Sequence, residues 1–215
     1  MLNLQSTLNR ILRDKAIVII RIKDSDQVLK IVEAVYRGGL SSIEITMVTP
    51  DVLKHIRKIS LEMGEEINIG AGSVLNAEAA KMAIEAGARY IVSPVTKVEI
   101  IKAAHQYGAA VIPGAMTPGE ILHAHENEAD IVKVFPTNIL GIEYIKTILG
   151  PMPHLPLMPS GGVTLKNATE WLQAGAKCLG IGTAVIDKQA VLNHDYKKIE
   201  ENARRLKEEI QREEM

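Results

Sequence analysis

The chain has 215 residues, a length that suits one domain with a sizeable core. Its formal net charge is −1, no basic block stands out, and aromatic residues make up only 3%, which argues against nucleic acid as a partner and against a base-stacking platform. The single cysteine, Cys178, excludes an internal disulfide and suits a reducing compartment.

The N-terminal residues Met1-Leu2-Asn3-Leu4-Gln5-Ser6 lack the pattern of a secretory signal. The apolar run 16–20 is far too short to cross a bilayer. The expectation is a cytoplasmic protein with no membrane partner.

From there two signals alternate. Short β-branched runs predict strands over 17–21, 43–47, 67–71, 90–93, 110–113, 131–135, 157–160 and 178–181. Helical apolar spacing predicts helices over 25–37, 50–63, 76–86, 97–107, 118–127, 142–149, 165–174 and 195–212. Several helices end on a glycine stop, as in Arg37-Gly38-Gly39, Ala86-Gly87-Ala88, Tyr107-Gly108-Ala109 and Ala174-Gly175-Ala176. Regular βα alternation implies parallel strands joined by helical crossovers. Eight such units predict an α/β protein with a closed (β/α)8 TIM barrel as a single domain over residues 1–215. An open doubly wound sheet would want a Gly-x-Gly-x-x-Gly turn after the first strand, and Arg21-Ile22-Lys23-Asp24 does not resemble one. The proline-rich stretch 150–156 reads as a loop. Near the C-terminus, Ile199, Ala203, Leu206 and Ile210 fall at helical spacing. They predict a helix with one narrow face on the barrel, an interaction tail being the alternative.

Chemistry in such a barrel collects at the carboxyl ends of the strands, on inward-facing residues. In Ile43-Glu44-Ile45-Thr46-Met47 the isoleucines suit the helix side, which leaves Glu44 and Thr46 facing in. Arg21 closes the first strand on the face of Ile17 and Ile19. In Ile131-Val132-Lys133-Val134-Phe135-Pro136, Lys133 shares a face with Ile131 and Phe135. An ammonium in an apolar strand loses solvation, and desolvation favours the neutral amine, a nucleophile whose usual partner is a carbonyl carbon. A lysine can also snorkel from a strand end, and Glu44 with Lys133 could be a buried ion pair that only holds the barrel. An amine, a carboxylate and a guanidinium directed into one cavity are harder to explain as structure alone.

A second site is expected where the seventh and eighth strands end. Ser160-Gly161-Gly162 and Gly182-Thr183 bring backbone N–H groups where barrels most often hold phosphate. Gly70-Ala71-Gly72-Ser73 adds a glycine turn and a hydroxyl to the same rim. The six histidines do not converge; His123 and His125, two apart on a helix, point to different faces, so no metal site is expected. Cys178 reads as buried and inert, and Trp171 as packing.

These motifs, together with Val92-Ser93-Pro94, Ile112-Pro113-Gly114 and Pro159-Ser160-Gly161-Gly162-Val163, occur in an order that resembles the class I aldolases acting on 2-keto-3-deoxy-6-phosphogluconate and 4-hydroxy-2-oxoglutarate. The resemblance covers nearly the whole chain. It implies Lys133 as the Schiff-base lysine, Glu44 as the proton shuttle, and Ser73, Pro94 and Phe135 around the pyruvate end, beside Ser160. It implies phosphate contacts from Gly161, Gly162, Gly182 and Thr183. It also implies a homotrimer and no cofactor. Some members clamp the substrate carboxylate with an arginine just after the strand-two glutamate motif, where this chain has Val48. Others place an arginine at the end of strand one, and Arg21 fits that pattern. Some also carry a serine where this chain has Ala184. The rival readings are a non-catalytic phosphosugar-binding barrel and a barrel isomerase or synthase that uses Lys133 only as a charge.

Overall fold

A computed structural model describes residues 4–212. Met1, Leu2 and Asn3 of the stretch tested for a signal peptide, and the three C-terminal residues, lie outside the described residues.

The alternation in the sequence becomes alternation in space. The strands are β1 (Ala16–Ile20), β2 (Ser42–Thr46), β3 (Asn68–Gly72), β4 (Tyr90–Val92), β5 (Ala110–Ile112), β6 (Gly114–Ala115), β7 (Val132–Val134), β8 (Leu157–Pro159) and β9 (Leu179–Ile181). All pairings are parallel. A six-stranded sheet runs in the order β5-β4-β3-β2-β1-β9 and a three-stranded sheet in the order β6-β7-β8. A parallel bridge between Ser160 and Gly180 joins the end of β8 to β9. The protein is a mixed α/β molecule with curled parallel sheets.

The fifth predicted strand differs from expectation: it is two strands, β5 and β6, divided at Pro113. Proline has no N–H to give to the neighbouring strand. Below it, the Val111 N–H goes to the Asp130 carboxylate at 2.8 Å instead of to a strand. Above it, Gly114 and Ala115 pair with Lys133 and Val134 of β7. The Pro113 carbonyl still accepts from the Lys133 N–H at 2.9 Å.

Side chains sort by strand parity, as period-two patterning requires. Val18, Ile20, Ile43, Ile45, Ile69 and Ala71 join the large core beneath the helices. Ile17, Tyr90, Ile112, Ile131 and Met158 form a second core on the opposite strand faces. Glu44 and Lys133 therefore face away from the helices, as the alternation predicts.

The helices that follow the strands lie within a few residues of expectation: α2 (Val28–Arg37), α3 (Val52–Met63), α4 (Ala77–Glu85), α5 (Val98–Gln106), α6 (Pro118–Glu126), α8 (Ile142–Leu149), α9 (Ala168–Gln173) and α11 (Tyr196–Gln211). Local chemistry sets several starts. Asn76 accepts from the Ala79 N–H at 2.8 Å, and Thr117 and Glu120 form a capping box before a proline-led α6. The C-terminal helix α11 buries Ile199, Ala203, Leu206 and Ile210 and packs against α2, as its spacing predicts. Burying each of its larger apolar side chains contributes roughly 1.5–3 kcal/mol. A Cβ on Gly38 would stand 2.5 Å from that of Ala203, so α11 approaches α2 where only glycine fits.

Three helices escaped the sequence reading: α1 (Leu4–Asp14), α7 (Thr137–Leu140) and α10 (Lys188–Leu192). The first matters most. Leu4, Leu8 and Ile11 of α1 lie against the second core at the amino ends of the strands. Its last residue, Asp14, accepts from the Ser41 N–H and hydroxyl at 3.1 and 2.7 Å, and from the Ser42 N–H and hydroxyl at 2.9 Å each. The Asn68 side chain donates to the Thr7 carbonyl at 3.2 Å. Helix α1 thus floors that core through both apolar and hydrogen-bonded contacts.

Candidate active site

The carboxyl ends of the strands gather most of the predicted residues. Lys133 sits mid-strand in β7, between Gly114 on one side and Met158 on the other, and is 6% exposed. A Cβ on its neighbour Gly114 would collide with the Ser93–Pro94 backbone, so only glycine fits there. Phe135, two residues on, presents its ring 5.1 Å from the Lys133 ammonium, within cation–π range.

Glu44 is 1% exposed and lies in β2 between Ile19 and Gly70. Its side chain leans over β3, where a Cβ on Gly72 would run into the carboxylate. Burial raises the Glu44 pKa, and the positive charges of Lys133 and Arg21 pull it partly back. Its Oε2 is buried without a hydrogen-bond partner. A buried carboxylate with a spare oxygen, under the influence of a buried amine, is a candidate functional group.

Arg21 differs in detail from expectation. The strand β1 stops at Ile20, so Arg21 stands one residue beyond it, exposed at the rim, near enough for its charge to act on Glu44. Ser73 and Pro94 are half-buried, in the loops after β3 and β4. Those loops are tied together by the Val74 N–H, which bonds the Val92 carbonyl at 3.1 Å. Ser73 takes φ +59°, the turn that ends the glycine strand.

The predicted anion residues follow β8 and β9, neighbours through the Ser160–Gly180 bridge. Gly161 and Gly162 adopt φ +92° and +81°, a region that favours glycine. Their missing side chains leave space against Asn138, the second residue of α7. The Thr137 hydroxyl donates to the Gly161 carbonyl, and Asn167 donates to Gly162 at 3.0 Å, so the loop is held from both sides. Gly182 is half-buried and Thr183 exposed at the lip after β9. Ser160 is buried beneath the glycine loop rather than open at the rim; its N–H bonds the Val134 carbonyl at 3.0 Å.

Cys178 is buried with its thiol pushed up to about 12 by burial, which keeps it protonated. Among the described residues, no group of three or more His, Cys, Asp or Glu side chains is placed to hold a metal ion, and no helix is long and apolar enough to cross a membrane. Sequence reasoning missed Tyr90. Its strand alternation directs it inward with Val92, and its hydroxyl is buried without a partner.

Comparison with known proteins accounts for this arrangement. The family model described as KDPG and KHG aldolase matches residues 8–202. The chain is 34% identical over 168 residues to the 2-dehydro-3-deoxy-6-phosphogalactonate aldolase of Escherichia coli (strain K12), covering 78% of this chain and 82% of that one. Its fold matches a native KDPGal structure with a TM-score of 0.86 at 29% identity, over 92% of this chain and 95% of the other. It also matches a Legionella pneumophila KDPG aldolase with pyruvate captured as a covalent carbinolamine, with a TM-score of 0.83 at 28% identity, over 92% and 97% of the two chains. A family match over nearly the full length, on a fold that carries a buried amine beside a buried carboxylate, has one conclusion: the chain belongs to the KDPG and KHG aldolase family of carbon–carbon lyases.

Proposed function

We propose that the chain is a class I aldolase. It cleaves 2-keto-3-deoxy-6-phosphogluconate to pyruvate and glyceraldehyde 3-phosphate, and/or 4-hydroxy-2-oxoglutarate to pyruvate and glyoxylate, through a Schiff base on Lys133. The observation that carries this is the burial of Lys133 and Glu44 on the inner strand faces, with the charge of Lys133 acting on Glu44. The carbinolamine held by the Legionella relative supports covalent chemistry at the matching lysine.

The Lys133 amine attacks the C2 ketone, and loss of water from the carbinolamine gives a protonated imine. Glu44 takes the proton of the C4 hydroxyl, the C3–C4 bond breaks, and its electron pair flows into the imine. The aldehyde leaves and an enamine of pyruvate remains. Glu44 returns its proton to C3, and water hydrolyses the imine to release pyruvate and free Lys133. The imine is the electron sink, so the reaction needs no cofactor. Arg21 holds the substrate carboxylate, where a guanidinium offers a two-pronged fork. Ser73, Pro94, Phe135 and Ser160 surround the pyruvate end. Gly161, Gly162, Gly182 and Thr183 hold the distal phosphate.

A second reading concerns the C4 epimer. The 34% identity to the Escherichia coli phosphogalactonate enzyme favours the galactonate substrate as the alternative.

We read the two sheets as one closed (β/α)8 barrel and the chain as one domain. The bridge from Ser160 to Gly180 and the sharing of the fifth strand between both sheets support closure. The family's homotrimer is carried over as well. Val48, Leu75, Val95 and Met116, exposed apolar side chains in the loops after β2, β3, β4 and β6, support a covered rim. A cytoplasmic location fits the lone buried cysteine.

The test is intact-protein mass after incubation with pyruvate and borohydride. One stable pyruvate adduct is expected on the wild type and none on Lys133→Ala. A folded wild type that forms no adduct overturns the aldolase reading and favours a phosphosugar-binding barrel.

A further inference from the structure

Three buried polar atoms on the inner strand faces have no partner: Oε2 of Glu44, Oδ1 of Asn68 and the hydroxyl of Tyr90. Buried polar groups are nearly always paired, so orphans in one region call for a shared explanation. Asn68 opens β3, where its amide nitrogen reaches Thr7 and Ser42 of the floor; Glu44 and Tyr90 are the other two. The strand register brings them together. Glu44 pairs across to Gly70, and Gly70 pairs across to Tyr90, so all three stand in one layer of neighbouring strands.

The two side chains also lean toward each other. From β4, the Tyr90 ring crosses over Gly70, where a Cβ would meet the ring at Cε2, Cζ and Cδ2. From the other flank, the Glu44 carboxylate lies over Gly72, two residues further along the same strand. Two glycines on one face of β3 thus open a shallow trough. A phenol tip enters it from one side and a carboxylate from the other. Either glycine replaced by alanine would push one of them out.

We propose that Tyr90 is a positioning residue for Glu44: its hydroxyl reaches Oε2 through one buried water and sets the carboxylate for proton transfer. The inference rests on the reading of Glu44 as the proton shuttle. A phenol suits this role because it is both apolar enough for the core and a strong donor. Burial, and then the charges of Glu44 and Asp14 and the thiol of Cys178, hold the Tyr90 pKa well above its usual value, so it keeps its proton to donate. The charged groups that bear on Glu44 itself are Lys133 from β7 and Arg21 beyond β1. Neither supplies a bond to Oε2.

Tyr90→Phe removes the hydroxyl and keeps the ring over Gly70. Turnover is expected to fall about tenfold, the worth of one hydrogen bond to a charged group, with KM little changed. A carboxylate that loses a donor binds its proton more tightly, so the acid limb of the kcat profile moves to higher pH. Exchange of the pyruvate methyl protons with deuterated water reads the same proton transfer without any aldehyde. It should slow by the same factor, while borohydride trapping at Lys133 persists. In a Glu44→Gln background the effect of Tyr90→Phe should vanish. Equal slowing in both backgrounds, the mark of a merely structural role, overturns the inference. So does a Tyr90→Phe enzyme with wild-type exchange and pH profile when Glu44→Gln alone is slow. If Glu44→Gln exchanges at the wild-type rate, the shuttle reading falls and takes this inference with it.

Discussion

Two carboxylates are buried against the strands, Asp14 from helix α1 below and Glu44 from β2, and the two are treated oppositely. At the amino end, Asp14 is 2% exposed and accepts four hydrogen bonds from Ser41 and Ser42. Within β2, Glu44 is 1% exposed, yet one of its oxygens has no partner and burial raises its pKa. Burial is equal; the supply of donors is not. A charge surrounded by donors is stabilised in one state and serves as a fastening. A charge left short of donors sits close in energy to its protonated form, which is what a proton shuttle requires. The contrast sets a fastened carboxylate apart from the one proposed to move protons.

The contrast can be broken most severely at the upper end. Glu44→Gln should lower kcat by about 10²–10⁴ in a steady-state cleavage assay, the range for losing a general acid–base group. A loss under about tenfold would make Glu44 structural and the two carboxylates alike. At the lower end, Asp14→Ala strands the Ser41 and Ser42 donors and should cost about 3 kcal/mol in urea unfolding, with activity per folded molecule unchanged. A variant as stable as the wild type would mean the floor is not fastened there.

The smallest effect sharpens the contrast through pH. The folded pKa of Glu44 lies above its ordinary 4.5, so between those two values the folded protein holds a proton that the unfolded chain has released. The stability this contributes is present below 4.5 and is lost as pH rises through the folded pKa. Glutamine does not titrate, so the melting temperature of Glu44→Gln should gain on that of the wild type across this interval and hold its lead above it. A constant difference at every pH would show that Glu44 is not strained by burial.

Much of the scaffold was legible beforehand. Glycine stops and β-branched runs placed the strands within a residue or two, because turn chemistry and strand parity are local. The inward direction of Glu44 and Lys133 followed from parity alone. Helix α1 was missed, although Leu4, Leu8 and Ile11 recur at helical spacing, since three apolar residues in a polar stretch are a weak signal. The break at Pro113 depends on which neighbour each half-strand finds, which is a tertiary matter. Tyr90 looked like one more apolar strand residue. Its distinction, an unpaired buried hydroxyl in the same strand layer as the Glu44 carboxylate, exists only once three strands are side by side.

The floor laid by α1 has a kinetic meaning. Leu4, Leu8 and Ile11 close the way beneath the second core, so a site at the opposite end has its mouth at the rim. On the proposed mechanism the half of the substrate bound to Lys133 is the deeper one, and the aldehyde half must depart before it. The enamine would then wait on the lysine beneath an open mouth. Any aldehyde of suitable size that arrives before a proton does can be joined to it. Run in that direction, the same cup becomes a tool for building carbon chains, with pyruvate as the fixed partner and the aldehyde as the variable one.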